Sequence, residues 1–216
     1  FQLRRRHDHK TMSFQVLNTS GYARRGELTT KTCAIQTPVF MPVGTYGTVK
    51  GLTPEHLHDI GFEIILGNAF HLHQRPGLET IKKFNGLHDF MGWDKSILTD
   101  SGGFQIWSLN DLRKITEEGV EFKSPLDGSK IFMSPEDSID TQLTLNSDII
   151  MAFDECTDYP SSYEDAEQSM HLTHRWTERS LNYFQKHQKG HLLFGIVQGG
   201  MHEELRKQSL AFMNNL

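Results

Sequence analysis

The stretch Ile97-Leu98-Thr99-Asp100-Ser101-Gly102-Gly103-Phe104-Gln105 joins a short apolar run to a polar, glycine-rich segment. This order predicts a strand that ends in a site, with the Asp100 carboxylate at the rim of a sheet. Two glycines beside it would let a flat ligand approach the backbone closely, and the ring of Phe104 could cover one face of that ligand. The alternative is an ordinary turn, because Asp, Ser and Gly are also favoured turn residues.

The same pattern recurs along the chain, which favours a site over an isolated turn. Further apolar runs that end in small or polar residues are Val39–Thr45, Glu63–Asn68, Asp148–Asp154 and His191–Gln198. These runs are apolar throughout rather than alternating, which is typical of parallel strands buried on both faces. The spacing between runs leaves room for a helix after each strand.

Five βα units fit either a (β/α)8 barrel or an open doubly wound sheet. Barrel enzymes place polar groups at the ends of several strands, whereas doubly wound folds concentrate them at one switch point. No Gly-x-Gly-x-x-Gly or Walker loop follows the first run. We therefore predict an α/β fold that is part of a (β/α)8 TIM barrel, incomplete because a barrel takes about 250 residues and eight strands.

Other elements follow from local signals. Thr53-Pro54-Glu55 and Ser134-Pro135-Glu136 predict helix starts. We also expect a small antiparallel β element before the main fold, a hairpin insertion and two further helices, over Ser13–Thr37, Val120–Met133, Ser161–Lys189 and Met201–Leu216 respectively.

Composition narrows the protein class. A chain of 216 residues with 37% hydrophobic content can bury a full core, and its net charge of −5 gives no general attraction to nucleic acid. Two distant cysteines, Cys33 and Cys156, fit a reducing compartment. No apolar run approaches the ~20 residues of a membrane helix, so we expect a cytoplasmic protein with no membrane partner.

Residues 1–12 begin with Phe1 and carry three consecutive arginines. Met12 looks like a natural start, so the residues before it are expected to be a disordered N-terminal extension. A basic RNA-contacting arm is the alternative.

Side chains at the predicted strand ends suggest a reaction. Asp100 and Asp154 could serve as an acid/base and a polar anchor, and the Gln198 amide can donate and accept at once. With an aromatic ring nearby, this set suits the edge and face of a nucleobase. A glycosidase acting on O-linked sugars remains open at this stage, as does a turn in which Asp154 caps Thr157–Pro160.

Six motifs together carry a family resemblance: MPVGT (Met41–Thr45), LGNAFHL (Leu66–Leu72), RPG (Arg75–Gly77), TDSGGFQ (Thr99–Gln105), MAFDECT (Met151–Thr157) and GIVQGG (Gly195–Gly200). In their order and spacing they resemble the bacterial tRNA-guanine transglycosylases, also called queuine tRNA-ribosyltransferases. The resemblance covers nearly everything from Ser13 onward.

The resemblance implies an enzyme of queuosine synthesis. Such an enzyme exchanges guanine at the wobble position of GUN-anticodon tRNAs (the Asp, Asn, His and Tyr acceptors) for preQ1, through a covalent enzyme–RNA intermediate. By this resemblance Asp100 is the acid/base, Asp154 and Gln198 read the polar edge of the base, and Cys156 marks the bacterial form. The pocket is lined by Ser101, Gly102, Gly103 and Phe104, with the ring of Phe104 stacking on the purine.

Two features of the family fall outside the matched residues. The family's second aspartate, which attacks the ribose, and its structural zinc site, Cys-x-Cys-x-x-Cys…His, lie beyond residue 216. We therefore expect residues 13–216 to be the N-terminal portion of the barrel, without a metal or cofactor of its own and inactive alone, and to be a homodimer when full length. The alternative is a non-catalytic partial chain that retains a base-binding pocket.

Two histidine pairs, His71-x-His73 and His171-x-x-His174, have spacings that metal ligands use. No third ligand is suggested for either pair, so ordinary packing roles are expected and no metal site is predicted.

Overall fold

A computed structural model describes residues 13–109 and 113–216, so the predicted disorder of residues 1–12 lies outside the described residues. The strands, in chain order, are β1 (Ser13–Ser20), β2 (Ala23–Thr29), β3 (Ala34–Thr37), β4 (Val43–Gly44), β5 (Ile64–Gly67), β6 (Ser96–Thr99), β7 (Arg113–Ile115), β8 (Val120–Lys123), β9 (Lys130–Met133), β10 (Ile149–Met151) and β11 (Leu192–Phe194). The helices are α1 (Pro54–Ile60), α2 (Ala69–Leu72), α3 (Leu78–Lys83), α4 (Leu87–Met91), α5 (Gly103–Trp107), α6 (Pro135–Leu145), α7 (Tyr163–His187) and α8 (Glu203–Met213), with a π-helical turn at His73–Gly77.

The parallel sheet contains all five predicted runs, each as a shorter strand. Its order is β11-β10-β6-β5-β4. Strands formed by successive apolar runs are therefore neighbours in the sheet. Residues such as Ile65, Ile97 and Ile150 are at most 1% exposed, which confirms the burial on both faces that continuous apolar runs predict. Among the described residues the sheet is open, with β4 and β11 at its edges, and no closed barrel forms.

Two antiparallel sheets accompany the parallel one. Strands β1, β2 and β3 form the predicted N-terminal element. The predicted hairpin is confirmed as β8 and β9, but the insertion also contains β7, which pairs with β8. Three-residue strands such as β7 give too short an alternating pattern to be recognised from sequence.

Helix starts follow the predicted capping signals. The Thr53 hydroxyl accepts a hydrogen bond from the His56 amide, and the Ser134 hydroxyl accepts one from the Asp137 amide, each within a capping box. Helix α7 begins and ends two residues inside the predicted Ser161–Lys189. Helix α8 is shorter than predicted at both ends, and the short helices between β5 and β6 were not predicted.

A buried carboxylate connects the segments at the start of β6 and β10. Asp148 is fully buried and accepts hydrogen bonds from the Ile97 amide at 2.8 Å and from Nε2 of His88 at 3.0 Å. Burial alone would raise the pKa of Asp148. The hydrogen bonds that its carboxylate accepts from His88 and from other nearby donors outweigh burial, so this pKa lies below its usual value.

Lys31 reaches into the same region from the loop between β2 and β3. Its Nζ donates to the side-chain oxygen of Asn146 at 2.6 Å and to the carbonyl oxygen of that residue at 3.0 Å. Burial lowers the pKa of the Lys31 ammonium to about 8. Polar contacts therefore stabilise the sheet where its parallel strands begin. The predicted site residues follow the opposite ends of these strands.

No helix within the described ranges combines the length and the apolar character that crossing a membrane requires.

Candidate functional site: a carboxylate pocket at the strand ends

The predicted site residues lie at the C-terminal ends of three adjacent strands. Asp100 follows β6, Asp154 follows β10 and Gln198 follows β11. Strand β10 pairs with β6 on one side and with β11 on the other. The parallel arrangement therefore brings the three segments to one rim, as the sequence predicts.

Asp100 is held by the segment that follows β5. Asn68 Nδ2 donates to one carboxylate oxygen at 2.7 Å, and the amide of Ala69 donates to the other at 3.0 Å. Asn68 is fixed in turn because its own side-chain oxygen caps α2 by accepting from the His71 amide. Burial raises the pKa of Asp100 to about 6, against the lowering effect of the backbone donors.

Asp154 is buried, at 7% exposed. Ser101 Oγ donates to Oδ1 at 3.0 Å, and Gln198 Nε2 donates to Oδ2 at 2.8 Å. The Cys156 thiol lies 3.8 Å from the same Oδ2. Burial raises the pKa of Asp154, since desolvation exceeds the effect of these donors. The side chains that donate to Asp154 belong to Ser101, Cys156 and Gln198 rather than to Thr157–Pro160, so the carboxylate does not cap that turn.

The two glycines of the site have different roles. Gly102 has φ +84°, a left-handed conformation that L side chains rarely adopt. Gly103 has no such φ, but a Cβ built on it would lie under 3 Å from Asp154. Asp-Ser-Gly-Gly is thus both a turn and a close approach between two rim segments.

Phe104 presents an open aromatic surface beside the carboxylates. Its side chain is 60% exposed, and one face stacks on Trp107 with ring centroids 5.3 Å apart. Ring and carboxylates together offer stacking and hydrogen-bonding groups at one rim. A small cavity of about 10 Å³ between α5 and Asp154 has room for a water molecule only, so a base would have to bind at the open rim.

The thiol of Cys156 is half-buried against the Asp154 carboxylate. Burial, with the negative charge of Asp154 beside it, raises the pKa of the thiol to about 12. A thiol with so high a pKa keeps its proton at neutral pH and can donate it in a hydrogen bond to Asp154 Oδ2.

One residue of the site, Asn68, has a role that the sequence did not indicate. Asn68 orients Asp100, and its only sequence signal is the helix-capping position that follows β5.

The described cysteines and the two histidine pairs lie apart from one another. Cys33 lies near Ser96, at the start of β6, whereas Cys156 lies at the opposite end of the parallel sheet. His71 Nδ1 lies 3.3 Å from the Tyr46 hydroxyl and His174 Nε2 lies 3.1 Å from Ser209 Oγ, which are packing contacts. Across the described part of the chain, no group of three or more His, Cys, Asp or Glu could hold a metal ion.

Comparison with known proteins gives a consistent result. The family model described as queuine tRNA-ribosyltransferase matches residues 19–216. A queuine tRNA-ribosyltransferase of Dechloromonas aromatica is 60% identical over 200 residues, which is 93% of this chain and 54% of the relative. Another, from Azoarcus sp., is 56% identical over 205 residues, covering 95% of this chain and 55% of the relative.

A third relative with the same name, from Herminiimonas arsenicoxydans, is 55% identical over 210 residues, covering 95% of this chain and 56% of the relative. The chain therefore spans about half the length of the relatives it matches. Because the family model and these relatives cover nearly the whole chain, the chain belongs to the queuine tRNA-ribosyltransferase family.

Proposed function

We propose that this chain carries the base-recognition part of a tRNA-guanine transglycosylase, which replaces guanine at the wobble position of GUN-anticodon tRNAs with preQ1. The observation that carries the proposal is the cluster of Asp154, Ser101 and Gln198 at hydrogen-bonding distance beside the exposed ring of Phe104. Asp154 can accept from the ring N–H and amino group of guanine, while the Gln198 amide completes the polar edge. Phe104 then supplies a stacking face.

Asp100 is suited to proton transfer at the departing and incoming base. Its pKa of about 6 lies close to neutral pH, where a general acid/base works best. Asn68 and the Ala69 amide fix the direction of its carboxylate. The paired roles, proton transfer by Asp100 and recognition by Asp154, follow from their different surroundings.

We propose further that residues 13–216 form the first part of a (β/α)8 barrel. In support, the strand order follows the chain without the reversal that defines a doubly wound sheet. The relatives are about twice as long, which is enough chain for the remaining units. Cytoplasmic location, a homodimer, a structural zinc and the acceptor tRNAs for Asp, Asn, His and Tyr remain proposals drawn from the family resemblance.

The reaction is proposed to pass through a covalent enzyme–RNA intermediate formed by a further aspartate, which the family resemblance places outside residues 13–216. Asp100 and Asp154 are each held by donors for their own roles. The 216 residues alone are therefore proposed to bind the base without exchanging it. A non-catalytic chain that keeps the base pocket is the second candidate. The presence of Asp100, Asp154 and Gln198 together favours the transglycosylase over it.

The test combines binding and exchange. Equilibrium dialysis with radiolabelled guanine measures base binding by the 216-residue chain, and incorporation of that label into a GUN-anticodon tRNA measures exchange. We expect binding without incorporation, and binding lost in Asp154→Ala but not in the exposed control Asp59→Ala. Failure of the chain to bind guanine would refute the pocket, and incorporation of label would refute the missing nucleophile.

A further inference from the structure

The exposed ring of Phe104 is supported by a second aromatic side chain. Trp107 lies one helical turn later on α5, and the two rings stack with an interplanar angle of 29°. Because Trp107 occupies one face of the phenyl ring, a ligand can stack only on the other face. The orientation of Phe104 therefore depends on what holds the indole of Trp107.

The indole is anchored from the neighbouring rim segment. Its Nε1–H donates to Oδ1 of Asp158 at 2.7 Å, across 51 positions of sequence. Asp158 belongs to the loop that follows β10, four residues after Asp154. The guanidinium carbon of Arg113 lies 5.9 Å from the centre of the same indole ring, within the range of a cation–π contact.

This contact links the two groups that a bound base would touch. Phe104 and Trp107 are on α5 after β6, whereas Asp154 and Asp158 are on the segment after β10. A hydrogen bond to a charged acceptor is short and directional. It ties the indole of Trp107, and through it the stacked ring of Phe104, to the segment that carries Asp154.

We propose that Trp107 and Asp158 are positioning residues that hold the ring of Phe104 at the height and tilt at which a purine stacked on it also reaches Asp154. This inference rests on the proposed base-binding function. Neither residue touches the base; both act through Phe104. Aromatic pairs of this kind change binding by about two- to tenfold, and that is the range expected on removing the anchor.

The variants separate the hydrogen bond from the ring. Trp107→Phe keeps an aromatic ring but removes the N–H, Asp158→Ala removes the acceptor, and Asp158→Asn restores a neutral acceptor oxygen. Asp94→Ala is the matched control, because Asp94 is also an exposed carboxylate that contacts a ring nitrogen, Nε2 of His58. Asp94 precedes β6 and so lies at the opposite end of the sheet from the site.

Two measurements on the 216-residue chain test the proposal: NMR shifts of the Phe104 ring without ligand, and dialysis with radiolabelled guanine. We expect Asp158→Ala and Trp107→Phe each to move the Phe104 resonances and to weaken guanine binding about two- to tenfold. The double variant should bind guanine no more weakly than either single variant, because both substitutions remove the same hydrogen bond. Asp158→Asn should recover most of both properties, and Asp94→Ala should change neither.

Unchanged Phe104 resonances in Asp158→Ala would overturn the positioning role, whatever the binding result. Moved resonances with unchanged guanine affinity would overturn its importance for the base. If the unsubstituted chain binds no guanine, the proposed pocket itself fails. That failure is distinguishable, because the NMR shifts of Phe104 test the positioning role in the absence of guanine, whereas dialysis of the unsubstituted chain tests the pocket.

Discussion

A Cβ built on Gly103 would lie 2.6 Å from the carbonyl oxygen of Asp154 and 2.7 Å from its Oδ1. Gly103, the first residue of α5, therefore packs directly against Asp154, and the space between them has no room for a side chain. Since Gly103 does not have a positive φ, its requirement is steric rather than conformational.

Gly103→Ala should accordingly push the two rim segments apart. We expect the free energy of unfolding to fall by about 1–3 kcal/mol, as for other overpacked sites, and guanine binding to weaken at least tenfold. Chemical denaturation and dialysis measure the two effects. Ser108→Ala, at the exposed end of the same helix, should leave both unchanged, and a Gly103→Ala chain with normal affinity would contradict the close-approach explanation.

Gln198→Ala should weaken guanine binding by removing a donor from Asp154. Its Nε2 donates to Asp154 Oδ2 and to the Glu155 carbonyl oxygen, and hydrogen bonds to charged groups contribute about 1.5–3 kcal/mol. We expect a loss of about 10- to 100-fold in dialysis. Gln168→Ala, an exposed glutamine on α7, is the control. Equal affinities for the two variants would remove Gln198 from the site.

Asp100 should give the fold a pH dependence of unusual sign. Because burial raises its pKa to about 6 from 3.8, the native state holds a proton between these values that the unfolded state releases. The free energy of unfolding should therefore fall as pH rises from about 4 to about 6, by at most about 3 kcal/mol. Denaturation series of Asp100→Asn should lack this component of the slope, whereas Asp59→Asn should retain it. Parallel slopes for the wild type and Asp100→Asn would show that Asp100 is not perturbed.

Lys31 should act in the alkaline range. Burial lowers the pKa of Lys31 to about 8 from 10.5, so the unfolded state binds the extra proton between these values. Stability should rise with pH through this window, by at most about 3 kcal/mol. Lys31→Met should lose this rise, while Lys50→Met, an exposed lysine, should keep it. A rise of the same size in Lys31→Met would assign it to other groups.

Local chemistry made much of this fold predictable. Continuous apolar runs such as Glu63–Asn68 identify buried strands, and Thr53-Pro54-Glu55 identifies a helix start, because both signals lie within a few residues. The rim position of Asp100 and Asp154 followed from the parallel arrangement. The family resemblance, confirmed by the comparisons, added roles that residue chemistry alone left open between base exchange and glycoside hydrolysis.

The remainder depends on contacts between distant residues. The Trp107–Asp158 hydrogen bond spans 51 positions and the Lys31–Asn146 contact spans 115, so no local pattern encodes them. Strand β7 and the short helices before β6 fall below the length at which periodicity is informative. The assigned roles of Asp100, Ser101, Phe104 and Gln198 remain predictions, for which the geometry provides support.

The consecutive strand order has a consequence for biosynthesis. Within the described residues, each new strand of the parallel sheet adds to an edge formed by the strand of that sheet before it, so these four pairings need no later part of the chain. Parallel pairing is slow because a long crossover separates the strands, but this order lets strands join from the N-terminal side as the chain leaves the ribosome. The Asn68–Asp100 contact can form once β5 and β6 have paired, and Asp154 and Gln198 then join it in the order in which they are translated.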